Sequence, residues 1–555
     1  MANDRLIYLP LGGAGEIGMN CYVYGYGPKG KERFIIVDLG VTFPDMDTTP
    51  GVDLILPDID WIADRADRVE AIFITHAHED HIGALSHLWP RLKALVHARK
   101  FTAHIARLKF EEHGLDTRKI ITVGTSPDIV TAGPFTVAFA PVAHSIPESS
   151  ALVIDTPAGR IVHTGDFKLD ETPGVGEAHD PQLWKDIARP GVRALICDST
   201  NVFSPDPGRS EASVGPAITD LVKSARGMVV ATTFASNIAR VKTLAEAGIK
   251  AGRSVVLLGR AMRRMVSAGV EVGILKDFPN TISAEDAKNI PRENLMVLAT
   301  GSQGERRAAT AQLSRGKYLG LSLKEGDLFL FSSKTIPGNE KSVSRIVNAF
   351  SKMGVDVFDD SMGAYHVSGH ANRPDLAAMH KLIAPQFLIP MHGEHRHLRA
   401  HAKLGEQNGL ASEIAPNGVM LDLSGNKPKI TEYIETGRTY LDGRVQIVAM
   451  DGVVRDRIRM ALNGHVTVTL IVENNRPLGD PWCEIMGLPE FGTSKAPLVE
   501  ILENDLTQFL MRADKKTLRD DDKLDEALRR LVRKVANDEI GKKPEVSVVI
   551  SRLST

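Results

Sequence analysis

The stretch Thr75-His76-Ala77-His78-Glu79-Asp80-His81 puts three imidazoles and a carboxylate into six residues as His-x-His-x-Asp-His. An apolar run at 69–75 (VEAIFIT) precedes it and reads as a buried strand, and 82–85 (IGAL) opens a helix after it. At helical spacing His76 and His78 would point about 200° apart, so a strand-to-helix loop suits them better than a helix face. Any fold that accepts this segment must hold four metal-binding side chains at the end of a buried strand.

The donors are imidazole and carboxylate, with no thiolate near them, which favours zinc or manganese. Along a bent loop His76, His78, Asp80 and His81 alternate, and they face two different centres. A two-metal site needs further donors from elsewhere. His144 (VAHS), Asp166 (HTGD) and His392 (PMHGE) each follow an apolar segment, where strand ends bring them to one edge. The chain has 18 histidines, and isolated ones such as His104 and His179 carry no such expectation.

Length and composition bound the rest. At 555 residues the chain exceeds one hydrophobic core, and its 43% hydrophobic and 25% charged content is that of a soluble globular protein. A net charge of -2 argues against a globally basic nucleic-acid binder but leaves room for a local basic channel. Three widely spaced cysteines, Cys21, Cys197 and Cys483, fit thiols in cores within a reducing compartment. The first residues, MANDRLIYLP, lack the basic and apolar regions of a signal peptide. No run of 18 apolar residues suggests a membrane span. The expected location is cytoplasmic, away from any membrane.

Residues 5–170 read as short strands punctuated by Gly and Pro, among them 33–39 (RFIIVDL), 135–141, 151–155 and 160–164. Polar residues at the strand ends indicate an α/β sandwich with its site at one edge. From 214 to 363, strands at 228–233, 254–258, 295–299 and 327–331 alternate with helical stretches, the pattern of a parallel α/β layer. Two turns, 300–304 (TGSQG) and 332–335 (SSKT), are of a kind that can hold phosphate with backbone N–H groups, or that simply links a strand to a helix. A helix at 374–383 and a strand at 386–391 lead to His392, and 438–459 reads as connecting structure. A strand at 466–472 follows. One amphipathic helix carries Leu498, Ile501, Leu502, Phe509 and Leu510 on one face, and a second carries Leu524, Leu528, Leu531, Val532 and Val535. A closing strand at 545–551 completes a small β-α-α-β domain.

With its distant His and its Asp after Thr-Gly, the His-x-His-x-Asp-His segment resembles the metallo-β-lactamase superfamily. Asp38, at the end of RFIIVDL, matches that superfamily's first acidic position, which supports the loop. The inserted layer, with HVSGHA at 366–371 and PMHGE at 390–394, resembles the β-CASP nuclease branch. Within it the chain is similar to the bacterial ribonuclease J family over nearly its full length, through LGGAGEIGMN at 11–20, THAHEDHIGAL at 75–85, HSIPES at 144–149, HTGDFK at 163–168 and DSTN at 198–201. The implied fold is α/β: a metallo-β-lactamase αββα sandwich, an inserted β-CASP parallel α/β domain and a small α+β C-terminal domain. The expected division is 1–213 for the first part of the sandwich, 214–370 for the insertion, 371–437 for the return segment, 438–462 for a linker and 463–555 for the terminal domain.

The resemblance implies two divalent ions per subunit, Zn2+ or Mn2+. His76, His78 and His144 hold one, Asp80, His81 and His392 the other, and Asp166 bridges. Two ions on a shared carboxylate lower the pKa of a bridging water, so that hydroxide attacks the phosphodiester. Asp80 thus counts as both ligand and catalytic residue. His370 touches the scissile phosphate and assists the leaving 3′-oxygen, and Asp198 orients it. His366, Val367, Ser368, Gly369 and His370 resemble the family's pocket for a 5′-terminal phosphate. A separate structural cation would lie near Asp53 and Asp442.

The implied activity is a 5′-to-3′ exoribonuclease that prefers 5′-monophosphate, single-stranded RNA, with some endonuclease cleavage. It would act in rRNA and mRNA maturation and decay as a homodimer or homotetramer, within an RNA-degradation complex. His392 resembles the RNA-cleaving members, since DNA-cleaving relatives tend to carry an apolar residue there. A small-molecule metallo-hydrolase is the first alternative, opposed by the inserted domain, for which a small substrate has no use. A non-catalytic RNA-binding scaffold is the second, opposed by a full complement of metal-binding positions.

Overall fold

The structure, a computed structural model, describes residues 4–553. It divides into two compact units, one of residues up to 42 together with 56–438, the other of 43–55 together with 439–555.

The first unit is built on two facing sheets. One has eight strands, in the order Lys429–Tyr433, Val419–Asp422, Arg5–Gly12, Cys21–Gly27, Arg33–Val37, Val69–Ile74, Leu95–Ala98 and Ile120–Thr122. The other has seven: Ala411–Ser412, Phe387–Met391, Ala194–Asp198, Gly159–His163, Ser150–Thr156, Phe135–Pro141 and Val130–Ala132. Tyr8, Tyr24, Ile35, Phe73, Phe139, Ile154, Ile196 and Ile389 fill the space between them. Outside the second sheet, helices Pro181–Ala188 and Arg373–Ile383 bury Trp184, Leu376 and Met379. Outside the first, Leu85–Leu92 and Lys100–Glu112 bury Leu88, Phe101 and Phe110. This is the αββα sandwich expected.

Strands buried on both faces need near-continuous apolar runs, and VEAIFI, interrupted only by Glu70, and ALIC before Asp198 are such runs. Three neighbouring parallel strands set the site. Val162 pairs with Leu195, Ile196 with Ile389, and Asp198 with Met391. Their C-terminal ends therefore reach one edge together, which brings Asp166, Asp198 and His392 close despite their separation in sequence.

The insertion is a five-stranded, wholly parallel sheet in the order Ser254–Leu258, Leu295–Ala299, Val229–Thr232, Leu328–Phe331 and Asp356–Phe358. Val230, Val256, Val297, Phe329 and Phe350 form its separate core. The chain then returns through Asn372, whose side chain and that of Asp375 make a reciprocal capping box at the start of Arg373–Ile383.

In the second unit His465–Glu473 pairs antiparallel with Trp482–Met486 and parallel with Glu545–Leu553. Helices Leu498–Arg512 and Asp521–Ile540 bury Leu498, Leu502, Leu506, Leu524, Leu528 and Val532 against them. Two features depart from the sequence reading. A strand, Trp482–Met486, and a short helix, Lys515–Arg519, add to the β-α-α-β pattern. The segment read as connecting structure forms a hairpin, Arg438–Asp442 with Val445–Val448, and a helix, Val453–Asn463. Among the described residues no helix is long and apolar enough to cross a membrane.

Phe139 is fully buried between the two sheets. Phe139→Ala is expected to cost about 3–5 kcal/mol, read as a shifted denaturation midpoint with an unchanged slope.

Candidate metal centre

Asp38 ends the strand Arg33–Val37 in a left-handed conformation (φ 63) and is fully buried. Its Oδ1 accepts from the Thr75 amide at 2.8 Å and its Oδ2 from the Thr75 hydroxyl at 2.8 Å. The same Oδ2 accepts from His81 Nδ1 at 2.7 Å. Backbone bonds add to the clamp, with Leu39 N on His81 O at 2.8 Å and Val41 N on Glu79 O at 3.0 Å. Asn20 completes it, its Nδ2 reaching Asp80 O at 3.0 Å.

His76 and His78 lie in the loop after Val69–Ile74, as read from sequence, but Asp80 and His81 lie in a helical turn, Glu79–Ile82. That turn carries Asp80 and His81 to the His392 side of Asp166, with the His81 ring packed 4.0 Å from that of His76. Gly40 lets it approach, since a Cβ there would sit 1.7 Å from Asp80 O.

The structure brings all seven sequence-predicted donors into two groups that share Asp166. In the first, His78 Nδ1 lies 3.2 Å from His76 Nε2 and 3.1 Å from His144 Nε2. Asp166 Oδ2 lies 3.7 Å from both His76 Nε2 and His144 Nε2. All four donor atoms lie within 4.8 Å of one another, close enough to be shared by one ion at bond lengths of about 2.0–2.2 Å. In the second group, Asp80 Oδ2 lies 3.6 Å from His81 Nε2 and 3.3 Å from His392 Nε2. Asp166 closes it at 3.2 Å from His81 Nε2 and 2.8 Å from His392 Nδ1.

Hydrogen bonds behind the rings set the tautomers. The Thr75 hydroxyl donates to Asp38, so it accepts from His76 Nδ1 at 3.0 Å and leaves Nε2 bare toward the centre. His144 Nδ1 donates to Gly369 O at 2.5 Å, with the same result. Gly369 has no room for a side chain, because a Cβ would lie 2.6 Å from Ser145 Oγ.

The two groups differ in charge. Burial, with neighbouring imidazoles, holds His76 and His144 well below the usual histidine range and brings His78 down to about 4, so these three are neutral donors. Burial also opposes charge on His81 and His392, but Asp166 and Asp80 outweigh it. His81 is held well above its usual range, and His392 is pushed up to about 10. Burial would raise Asp80 and Asp166; the same imidazoles hold both carboxyls below the carboxylate range.

Beside these groups, Asp198 Oδ2 accepts from His370 Nδ1 at 2.8 Å, and His370 Nδ1 lies 4.0 Å from Asp166 Oδ2. Burial disfavours a charged His370, yet Asp198 and Asp166 raise it. His366, Val367, Ser368 and His370 line a cavity of ≈ 380 Å³ together with the basic Lys168, Arg209 and Lys334 and the acidic Asp206 and Asp360. Gly369 is not among the cavity's lining residues.

Sequence reasoning did not assign those three basic residues, nor Thr200, whose hydroxyl donates to Asp198 Oδ1 at 2.7 Å. Lys168 and Thr200 fall inside the quoted motifs HTGDFK and DSTN, which was the available signal. Asp53 and Asp442 do not form a comparable centre. Asp53 Oδ2 accepts from the Gly443 amide at 2.8 Å, and Asp442 pairs with Arg457 at 2.6 Å. Among the described residues no group of three metal-binding side chains includes either.

Fold and donor set together define a metallo-β-lactamase-type hydrolase with a large α/β insertion. Protein-family models match accordingly: the metallo-beta-lactamase superfamily over 14–197, the ribonuclease J beta-CASP domain over 226–350, the Zn-dependent metallo-hydrolase RNA specificity domain over 363–415 and the ribonuclease J C-terminal domain over 452–553. Ribonuclease J of Sinorhizobium meliloti is 41% identical, the alignment covering 100% of this chain and 98% of that one. Ribonuclease J of Mycolicibacterium smegmatis is 36% identical, covering 98% of this chain and 97% of that one. The chain belongs to the ribonuclease J family, and it is a metal-dependent ribonuclease acting on RNA. A solved structure, a protein of unknown function from Enterococcus faecalis V583, shares the fold with a TM-score of 0.50 at 18% identity, over 75% of this chain and 100% of that one.

Gly40→Ala drives a methyl group into the Asp80 carbonyl. It is expected to cost about 3 kcal/mol or more and to displace Asp80 and His81, so thermal stability and metal content fall together. A variant that keeps both would count against the packing described.

Proposed function

We propose that the chain is a 5′-to-3′ exoribonuclease with some internal cleavage, selective for 5′-monophosphate RNA and dependent on two ions, zinc or manganese. The observation that carries this reading is the shared Asp166, which lies within 4.0 Å of both donor groups and of His370 Nδ1. His76, His78 and His144 would hold one ion, Asp80, His81 and His392 the other, with Asp166 common to both. Bound there, the ions would supply a water of lowered pKa and positive charge for the phosphoryl oxygens.

The chain's own groups do the rest. Asp198 accepts a hydrogen bond from His370 Nδ1 and, with Asp166, favours the doubly protonated ring, whose Nε2–H can pass its proton to the departing 3′-oxygen and leave the neutral imidazole. Thr200 fixes Asp198 from behind. His366, Val367, Ser368 and His370 would form the 5′-phosphate seat, with Gly369 in the turn behind it, and Lys168, Arg209 and Lys334 outnumber Asp206 and Asp360 around the cavity, which favours an anionic chain end. A seat whose donors converge on a single terminal phosphate would favour a monophosphate over a triphosphate. Three buried free cysteines suit a cytoplasmic enzyme. Work as a homodimer or homotetramer within an RNA-degradation complex, on rRNA and mRNA, completes the reading.

End-labelled RNA tests direction and selectivity together. Mononucleotides should leave the 5′ end at least about tenfold faster from monophosphate than from triphosphate RNA, and equal rates would remove the seat. His78→Ala should lower kcat/KM at least about 100-fold along with metal content, whereas full activity in that variant would favour a scaffold. Dialysis against a chelator should abolish cleavage, and zinc or manganese added singly should identify the working ion.

Proton release tests the second donor group. His392, pushed up to about 10, holds a proton at neutral pH that must leave before the nitrogen binds an ion. Affinity there should rise with pH toward that value. Calorimetry in two buffers of different ionisation enthalpy should show proton release for one ion and little for the other; none for either would count against His392 as a ligand.

A further inference from the structure

We propose that Arg240 is a positioning residue that fixes the proton of His366 on Nε2, so that the 5′-phosphate seat offers a single, directed N–H donor. This rests on the reading of His366 as part of that seat.

Arg240 stands in the first turn of helix Ile238–Lys250 and is fully buried. Its Nε and Nη2 pair with Glu211 Oε1 and Oε2 at 2.6 and 2.9 Å, a two-pronged ion pair that uses one side of the guanidinium. Nη1 turns the other way. It donates to Ser332 O at 3.0 Å, to Ser332 Oγ at 2.9 Å and to Tyr365 O at 3.2 Å, and it faces His366 Nδ1 at 3.3 Å. Three segments thus converge behind one imidazole: the turn at Glu211 just before the insertion, the first turn of the helix and the end of strand Leu328–Phe331.

A guanidinium has donors and no acceptor, and it stays charged at any working pH. The carbonyl that a ring N–H there could reach, Ser332 O, already accepts from Arg240 Nη1 and the Thr233 hydroxyl, and a proton on Nδ1 would also face a guanidinium N–H, so Nδ1 keeps its lone pair. The neutral ring's one proton is then on Nε2. Burial first, then the charges of Arg240 and Lys334, bring His366 down to about 3, which keeps the ring neutral. Burying an ion pair costs solvation that a packed apolar pair would not. Here the pair holds a cation against the back of the imidazole, which no apolar pair could do. The polar turn at Ser332, one of the two that a phosphate could have occupied, is committed to this network from inside, its hydroxyl donating to Tyr365 O at 2.7 Å.

The test uses the full-length, metal-loaded enzyme with RNA carrying a 5′-monophosphate or a 5′-hydroxyl. The readouts are KM and kcat for each and the ratio of the two kcat/KM values. A glutamine amide reaches the position of Nε2 and an asparagine amide that of Nδ1, so H366Q should keep most of the monophosphate preference and H366N should lose about tenfold or more of it. R240K, which keeps the charge near Glu211 but cannot reach both ways, should lower the ratio about tenfold, mainly through KM on monophosphate RNA. The proposal is overturned if H366N retains the preference as well as H366Q, or if R240K slows both RNAs equally, as a purely structural residue would. A wild-type enzyme with no monophosphate preference would instead overturn the seat itself and remove the ground for this role of Arg240. Because the His366 pair is read independently, poor folding of R240K leaves the comparison decisive.

Discussion

A buried carboxylate at residue 38 is the constraint on which the centre depends. Burial raises its pKa, while His81 and the two Thr75 donors favour the charged form. A carboxylate sealed from water is tolerated only when its lone pairs are used, and here three donors use them. Each of those bonds also orients something else. The Thr75 hydroxyl sets the tautomer of His76, and the His81 bond aims Nε2 at Asp166. One side chain on a neighbouring strand thus sets ring orientation in both donor groups.

Asp166 plays the complementary part from the opposite sheet. Its two oxygens face different imidazoles, Oδ1 toward His392 and Oδ2 toward His81, His76 and His144. The sandwich is suited to this, because the first sheet delivers the loop at 75–81 and the second delivers residues 166, 198 and 392 from adjacent strand ends. A core packed between the sheets holds the two edges in register.

Much of this was legible in the sequence because the chemistry is concentrated. The His-x-His-x-Asp-His segment is contiguous, and His144, Asp166 and His392 stand where apolar strands end. Lys168, Arg209, Lys334 and Arg240 were not legible as a group. Each is a single basic residue in a chain that is 25% charged, and only the tertiary fold gathers them. The strand Trp482–Met486 escaped notice because it is short and its outward positions include the apolar Trp482 and Met486, which hide the alternation of its burial. The pair Asp53 and Asp442 shows the opposite case. Motif context suggested a cation, while the fold gives each carboxylate an internal partner.

The second donor group joins residues 80, 81, 166 and 392, and the insertion lies between its third and fourth members. Contacts so distant along the chain carry a large loop-closure cost and form late. A nascent polypeptide emerging residue by residue lacks this group until the return strand Phe387–Met391 and the histidine after it have been made. The order of synthesis therefore acts as a safety catch: an unfinished chain, still beside its own messenger, does not yet contain the assembled centre.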